Sequence, residues 1–432
     1  MFNKEVIETK RFNNELETPF LKTVPNNWKT KRIKYLLDEV NIRSKTGTEE
    51  LLSLSKYRGV VKKDSLEEKS GGAESLIGYK LVNEGQLVIN KMQAVNGLLA
   101  VSKLRGITSP DYSVYKVKGE EEVDIDFLTY ILAQPEYLTE FKRRVTGVME
   151  GFIRLYTDDL FDIKVAFPSV DYQRKIVRFL ERKTSQIDDA INLKQKQIEL
   201  LKERKEIIIQ NALINGLDSS VSRKNSDIEW LGELPSHWKL RKVKHLFQLV
   251  MEPAEKNNEH ELLSIYAAIG VRPRKDLAEK GNKASTTDGY WLVEKGDVIV
   301  NKLLAWMGAI GLSEYQGVTS PAYDILRPSV DMEPLFYHYL FRMKQCSVEL
   351  KKHSRGIMDV RLRLYFDKFG SLYVPYPPID EQKKIIKFIQ RHVSKLDKSE
   401  QIFQSQIDQF KEYRASLINS ALSGKIKIQE LT

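Results

Sequence analysis

The run "FDIKVAF", which begins at Phe161, sets Asp162 two positions before Lys164 on a strand-like stretch. That is the Asp-x-Lys spacing of a metal-dependent nuclease strand, where a carboxylate holds a cation beside the phosphate to be cut. The matching stretch farther on, "GSLYVPY" from Gly370, carries Ser371 and Tyr373 in those places. A surface strand end is therefore the better reading. No Gly-rich phosphate or dinucleotide loop precedes a helix, and "SGKIK" at 423 lacks the upstream glycine of a P-loop. The six His residues are scattered, none paired with Cys or carboxylates at ligand spacing. The sequence thus assigns no catalytic residue and no metal ligand.

The remaining chemistry is cationic. Lys and Arg number 69 against 59 Asp and Glu, a net charge of +10, and such a surplus favours polyanions, nucleic acid first. Candidate contacts fall into two groups, separated by an internal repeat. "VPNNWKTKRIKYLL" at 24 returns as "LPSHWKLRKVKHLF" at 234, and "GYKLVNEGQLVINKMQAVNG" at 78 as "GYWLVEKGDVIVNKLLAWMG" at 289. "GITSPDY" at 106 returns as "GVTSPAY" at 317, "GVMEGFIRLY" at 147 as "GIMDVRLRLY" at 356, and "DYQRKI" at 171 as "DEQKKI" at 380. The offset drifts only between 209 and 211, so one unit has been duplicated.

Cations present in both copies are Lys91 and Lys302, Lys142 with Arg143 and Lys351 with Lys352, and Arg154 and Arg363. Lys91 and Lys302 follow Asn90 and Asn301 at a strand end, where a polar pair either ends the sheet or touches DNA. The helix-end pairs either suit the macrodipole or bind phosphate, and the two arginines either brace the fold or reach phosphate or a guanine edge. Residues shared by both copies cannot make the copies differ in what they bind. Contacts that distinguish the two are expected among the unmatched cations: Lys56, Arg58, Lys62, Lys63, Arg272, Arg274 and Lys275. Thr108 with Ser109, and Thr319 with Ser320, read as turns before proline.

Positioning these residues requires two α+β globular parts. "QLVIN", "GLLAVS", "YSVYKV" and "IKVAF" read as strands, and the stretch from Asp126 to Arg144 as a helix interrupted by Pro135, with a counterpart from about Pro334 to Lys352. Trp28 and Trp238 read as core anchors of each part. Asp171 to Asn215 and Asp380 to Ser423 contain no Gly or Pro, and each Asp can cap a helix. A helix of about 40 residues would run about 60 Å, longer than a small domain is wide. Ile187, Ile191, Ile198, Leu201, Ile208 and Ala212 make a stripe on one helix, and Leu396, Phe403, Ile407, Phe410, Leu417 and Ala421 on the other. The stripes read as a coiled-coil seam interrupted by Lys194, Lys205, Glu400 and Arg414. A single Cys346 excludes an internal disulfide framework, and no run of about 18 apolar residues is present. With no apolar stretch near the N-terminus, a cytoplasmic location is expected.

The repeat, the phrase "SDIEWLGELPSHW", "YPPIDEQKKI" and "ALSGKI" together resemble the specificity subunit of type I restriction-modification enzymes (HsdS-like) from about residue 20 to 425. The resemblance implies two target-recognition domains held by long helices in an antiparallel coiled coil, related by a pseudo-twofold axis. The expected boundaries are a tail (1–19), a first target-recognition domain (20–170), a central helical spacer (171–225), a second target-recognition domain (226–379) and a C-terminal helical spacer (380–432). It further implies a bipartite duplex DNA target, two modification (methyltransferase) subunits and restriction subunits as partners, no membrane, and no cofactor on this chain. S-adenosylmethionine would belong to the modification partner, and ATP and Mg to the restriction partner. A coiled-coil DNA-binding scaffold or regulator independent of restriction-modification is the alternative. An antiparallel register that sets Lys194 against Glu400, Ile191 against Phe403 and Ile198 against Leu396 would pair opposite charges where the stripe breaks.

Overall fold

The computed structural model describes residues 18–56, 58–66, 75–119, 122–147, 153–267, 269–276, 286–356 and 362–426; the expected N-terminal tail lies almost wholly outside them. The chain divides into two compact units. One comprises Met1–Asn192 with Ile407–Thr432, the other Leu193–Gln406.

In the first unit the strands are β1 (Lys29–Arg32), β2 (Leu37–Glu39), β3 (Leu52–Ser55), β4 (Gly59–Lys62), β5 (Lys80–Val82), β6 (Leu87–Asn90), β7 (Leu99–Val101), β8 (Gly106–Thr108), β9 (Tyr112–Val117) and β10 (Lys164–Phe167). They build an antiparallel sheet in the order β2-β9-β6-β7 and three two-stranded pairs, β1 with β10, β3 with β4 and β5 with β8. β6 is buried along its whole length because β9 and β7 flank it, whereas β3 alternates buried and half-buried with the period of two that a one-sided strand requires. Three short helices follow, α1 (Ile125–Leu132), α2 (Pro135–Arg144) and α3 (Thr157–Phe161). The long α4 (Val170–Asn215) then leaves the unit.

The second unit repeats this order. After a small hairpin of β11 (Arg223–Asn225) and β12 (Glu233–Pro235), formed by the phrase that has no counterpart in the first copy, come β13 (Lys239–Lys242), β14 (Phe247–Val250), β15 (Leu263–Tyr266), β16 (Gly270–Pro273), β17 (Trp291–Val293), β18 (Val298–Asn301), β19 (Ile310–Leu312), β20 (Gly317–Thr319), β21 (Tyr323–Pro328) and β22 (Tyr373–Tyr376). The sheet order is β14-β21-β18-β19. Even the registers correspond: Asn90 faces Tyr112, and Asn301 faces Tyr323. The helices are α5 (Pro334–Phe341), α6 (Lys344–His353), α7 (Phe366–Phe369) and the long α8 (Ile379–Leu422).

One local expectation holds and one is corrected. The helical stretch is interrupted at Pro135 as expected; the proline does not break a helix from within but opens α2, where a missing N–H costs nothing. The second copy breaks at the same place without a proline, because Met343 is extended (ψ 144°) as Gln134 is (ψ 147°). The Asp residues of the "DxQ" phrases are not caps. Asp171 and Asp380 lie in the first turn, while the carbonyls of Ser169 and Pro378 accept the first helical N–H groups. The Gln residues carry the anchoring: fully buried Gln173 accepts from Asp124 N–H (2.9 Å) and donates to the Pro168 and Glu122 carbonyls, and Gln382 holds Glu333 N–H (3.0 Å) and the Pro377 carbonyl in the same way.

Each core includes the far end of a long helix. Ala421 and Leu422 of α8 join Phe20, Phe127, Ile131, Phe141, Ile176 and Leu180 in the first unit; Ala212, Leu213 and Ile214 of α4 join Trp238, Phe336, Leu340, Ile385 and Ile389 in the second. The helices stop at Gly424 and Gly216, both left-handed (φ +71° and +72°). A Cβ on Gly424 would lie 2.8 Å from Pro25 and 3.2 Å from Trp28, and one on Gly216 3.3 Å from Trp238 and 3.7 Å from Pro235. The Pro-Trp phrase that opens each globular part is thus the seat for a helix end. Trp238 is fully buried as expected, whereas Trp28 is half-buried beneath Phe127 and Gly424.

Within each unit the two helical segments run antiparallel. In the first, Tyr172 donates to the Ile426 carbonyl (3.3 Å) and Asp188 sits 3.4 Å from Arg414. In the second, Lys194 lies over the Phe403 ring (4.5 Å), Lys202 pairs with Glu400 (3.4 Å) and Lys205 with Asp397 (2.7 Å). Glu400 therefore faces Lys202 and not Lys194 as the sequence register had it. The observed register satisfies two ion pairs at matching three-residue steps and gives Lys194 an aromatic face, which the expected one would not.

Replacing Gly424 with Ala forces a left-handed side chain into Pro25 and should destabilise the first unit by about 1–3 kcal/mol. Urea melts measure it, with Gly119→Ala, which meets nothing within 4 Å, as the neutral control.

Candidate nucleic-acid interface

The surface that carries the repeated cations is built around one turn. At the end of β6, Asn90 Oδ1 accepts the N–H groups of Met92 and Gln93 (3.0 and 3.2 Å); at the end of β18, Asn301 Oδ1 accepts those of Leu303 and Leu304 (3.0 and 3.3 Å). The repeated Asn ends the sheet and shapes the turn, the structural one of its two readings. Lys91 next to it donates to the Pro110 carbonyl (3.4 Å), and Lys302 to the Pro321 carbonyl (2.9 Å) and to Asp324 (3.2 Å). Burial lowers the Lys91 pKa, and Lys80 and Arg154 add to the effect. Ser109 and Ser320 accept from Asp111 and Ala322 N–H (3.3 Å each), the turn expected before each following strand.

A helix end and a β-bridge close over the same turn. Leu138 of α2 lies against Gly97 at the turn's end, and Lys351 of α6 stands over the Trp306 ring (4.8 Å). Lys142 and Arg143, and Lys351 and Lys352, are thereby set at the rim in both units. Arg143 pairs with buried Glu140 (3.3 Å), and Lys352 with Glu229 (2.9 Å) and Glu349 (3.2 Å). Past the helix, Thr146 bridges Arg154 and Arg355 bridges Arg363, while Leu155 N–H reaches the Lys91 carbonyl (3.0 Å) and Leu364 N–H the Lys302 carbonyl (2.8 Å). Arg154 lies 3.4 Å from Asp111, and Arg363 is exposed. In each unit the four repeated cations thus lie on the equivalent turn, helix end and bridge.

The unmatched cations occupy a hairpin beside it. In the first unit Lys56 is exposed at the tip, Arg58 donates to Ser65, Lys62 pairs with Glu50 (2.8 Å), and Lys63 follows β4. In the second, Arg272 donates to Tyr315 (2.9 Å), Lys275 pairs with Glu261, and Arg274 lies between them in sequence. Exposed pairs of this kind contribute little and yield readily to phosphate.

Sequence reasoning missed the clamp beneath the second hairpin. Arg342 donates to the carbonyls of Gly308 and Ile310 (3.2 Å each) and to that of Ala267 at the hairpin tip, joining tip and turn through one guanidinium. His338 Nδ1 accepts from Leu312 N–H (3.0 Å) with its ring against Gly270 and Gly311. The first copy has Thr129 and Ala133 in these places, so the only available signal was "HYLFR" standing where "TYILA" stood. Asp162 is neutralised by Arg32 (3.0 Å) and Arg144 (3.7 Å), which fits a braced strand end and not a metal ligand. Among the described residues no cluster of His, Cys, Asp and Glu suits a metal ion, and no helix is long and apolar enough to cross a membrane.

The chain is a duplicated α+β unit on paired helices, with repeated cations near a turn, a helix end and a hairpin of each copy. Residues 235–406 match the type I restriction modification DNA specificity domain. The MjaVIII specificity subunit of a type I restriction enzyme from Methanocaldococcus jannaschii is 22% identical over 371 residues, 81% of each chain. A putative MjaX specificity subunit from the same organism is 22% identical over 277 residues, 62% of this chain and 60% of that one. In fold, a structure described as the basis of complex assembly and conformational transition of the type I R-M system aligns with TM-score 0.67 at 13% identity, covering 93% of this chain and 99% of the other. The HsdS subunit from Thermoanaerobacter tengcongensis aligns at 0.53 and 12%, covering 93% and 98%. The chain is HsdS-like, similar along most of its length to type I restriction-modification specificity subunits.

Burial pushes the His338 pKa down to about 4, with Arg342 adding to the effect. Its neutral form is the one the fold favours, so this contribution is complete above the unfolded value near 6.5 and is lost as pH falls towards 4. The lost share is about 3 kcal/mol. Urea melts of the wild type and His338→Gln between pH 7.5 and 4.5 should differ in slope across that window, the variant being the flatter.

Proposed function

We propose that this chain recognises a bipartite duplex DNA target and directs the methyltransferase and restriction subunits of a type I complex to it, without catalysis of its own. The carrying observation is the double occurrence of one cationic framework, the same backbone caps presenting different side chains at the hairpin tip and turn. Each framework is read as the reader of one half-site. The repeated cations Lys91, Lys142, Arg143, Arg154, Lys302, Lys351, Lys352 and Arg363 fix the protein on the phosphates, and the unmatched hairpin cations address the bases. The complex works in the cytoplasm, with S-adenosylmethionine on the modification partner and ATP and Mg on the restriction partner.

Two modification subunits are the proposed partners of the helices. Beside the seam, α4 leaves Leu193, Leu200 and Ile207 at heptad spacing and 59, 63 and 50% exposed, an apolar stripe that none of the described residues covers.

Genome-wide methylation maps with and without the gene test the main reading. A split motif with unequal halves should vanish on deletion; a continuous motif, or no change, overturns it. Exchanging residues 20–170 for the first reader of a related subunit should alter one half-site and leave the other intact. Leu200→Glu should abolish copurification of modification subunits while leaving the melting temperature of the free chain within a few degrees.

A further inference from the structure

At the equivalent turns the two units present opposite chemistry. In the first, Gln93 and Asn96 are exposed, and Asn96 Nδ2 donates to Gln93 Oε1 (2.7 Å). That bond uses the donor of Asn96 and the acceptor of Gln93, so Gln93 Nε2 is the pair's donor and Asn96 Oδ1 its acceptor. In the second, Leu304 and Met307 stand in the same places, 45 and 54% exposed, with Leu303 (37%) before them; Val348 of α6, the helix that packs on this turn, is 55% exposed. Of that turn Ala305 enters the core and Trp306 packs against it, so among the described residues the core takes up neither Leu304 nor Met307.

Its occupant is indicated by its rim. Lys302 precedes the apolar turn, Lys351 stands over Trp306, and Lys352 follows on the same helix end, so the patch lies among cations and fits a polyanion that carries apolar groups. In the major groove the thymine C5-methyl is the apolar group, whereas adenine shows an N7 acceptor beside an N6 donor and pairs with side-chain amides. Resting on the reading of the chain as a two-part DNA reader, we infer that these turns discriminate bases: Leu304 and Met307 contact a thymine methyl in the second unit's half-site, and Gln93 with Asn96 reads an adenine edge in the first unit's half-site.

The test uses the full chain assembled with its modification subunits and duplexes carrying the mapped target, with half-sites assigned by the reader exchange. Uracil replaces each thymine in turn, deleting only the methyl, and 7-deazaadenine replaces each adenine, deleting only the N7 acceptor. At one position of the second half-site uracil should weaken binding about three- to tenfold, and in Leu304→Gln/Met307→Asn that penalty should disappear. In the first half-site 7-deazaadenine should do the same, and Gln93→Leu/Asn96→Met should erase its effect. Leu304→Ala/Met307→Ala serves as the milder variant should the polar one fold poorly. A second half-site without thymine, a uracil penalty absent from the wild type, or one that persists in the variants overturns the inference. So does a variant that keeps its DNA discrimination but loses the modification subunits, which would make the patch a protein-docking face. Wild-type complex that binds every duplex equally would instead overturn the DNA-reader reading itself.

Discussion

The interaction on which the rest depends is the seating of a glycine-ended helix on a Pro-Trp corner. Helices of 46 and 44 residues cannot cover their apolar stripes alone, and each globular part lacks one wall of its core. Leu422 and Gly424 complete the first unit against Pro25 and Trp28; Leu213 and Gly216 complete the second against Pro235 and Trp238. The first core is therefore closed by residues almost 400 positions downstream of its opening phrase. Such long-range closure must await α8, whereas the second core is finished by residues immediately upstream of it.

Much of this was legible because the duplication writes every element twice. A strand such as "QLVIN" is ambiguous alone, yet "DVIVN" at the same offset, followed by the same Asn-Lys, fixes both. The helical stretches were equally plain from their lack of Gly and Pro. What stayed hidden depends on pairwise geometry. The seam register is a choice among shifts differing by a few weak pairs, and only coordinates show Glu400 beside Lys202. The break before α6 carries no proline because tertiary packing, not local propensity, extends Met343. The "DxQ" phrase drew attention to its Asp, since capping is a local rule, while the Gln that fastens the helix to a segment some 50 residues away obeys none.

The site was legible as charge and illegible as arrangement. Counting cations found Lys91, Lys142 and Arg154, and the fold brings them to one framework. It could not find Arg342, whose partners are three backbone carbonyls from the hairpin and the turn, or His338, whose role is to accept an N–H from β19. Nor did it weigh Gln93 and Asn96 against Leu304 and Met307, because a search for phosphate contacts passes over neutral side chains.

That division has a physical consequence for how two readers diverge on one scaffold. The groups that shape each turn and strand end are side chains bonded to backbone: Asn90 and Asn301, Ser109 and Ser320, Gln173 and Gln382. Both copies keep them, and losing one of the buried four, Asn90, Asn301, Gln173 or Gln382, would cost about 1–3 kcal/mol in stranded hydrogen-bonding groups. The exposed positions they hold in place touch little of the core, and substitution there costs within about 0.5 kcal/mol. An amide pair and an apolar pair can therefore occupy the same turn at nearly equal stability. The second unit departs from this at one point. With Arg342 and His338 it ties the hairpin tip to the turn, so the tip's conformation is held by the fold before any ligand arrives. The first unit, with Ala133 and Thr129 in those places, leaves its more cationic tip without that tie. The two units thus differ in how the hairpin tip is tied as well as in the chemistry of the turn, and the unit with the Arg342 tie is the one whose turn is apolar.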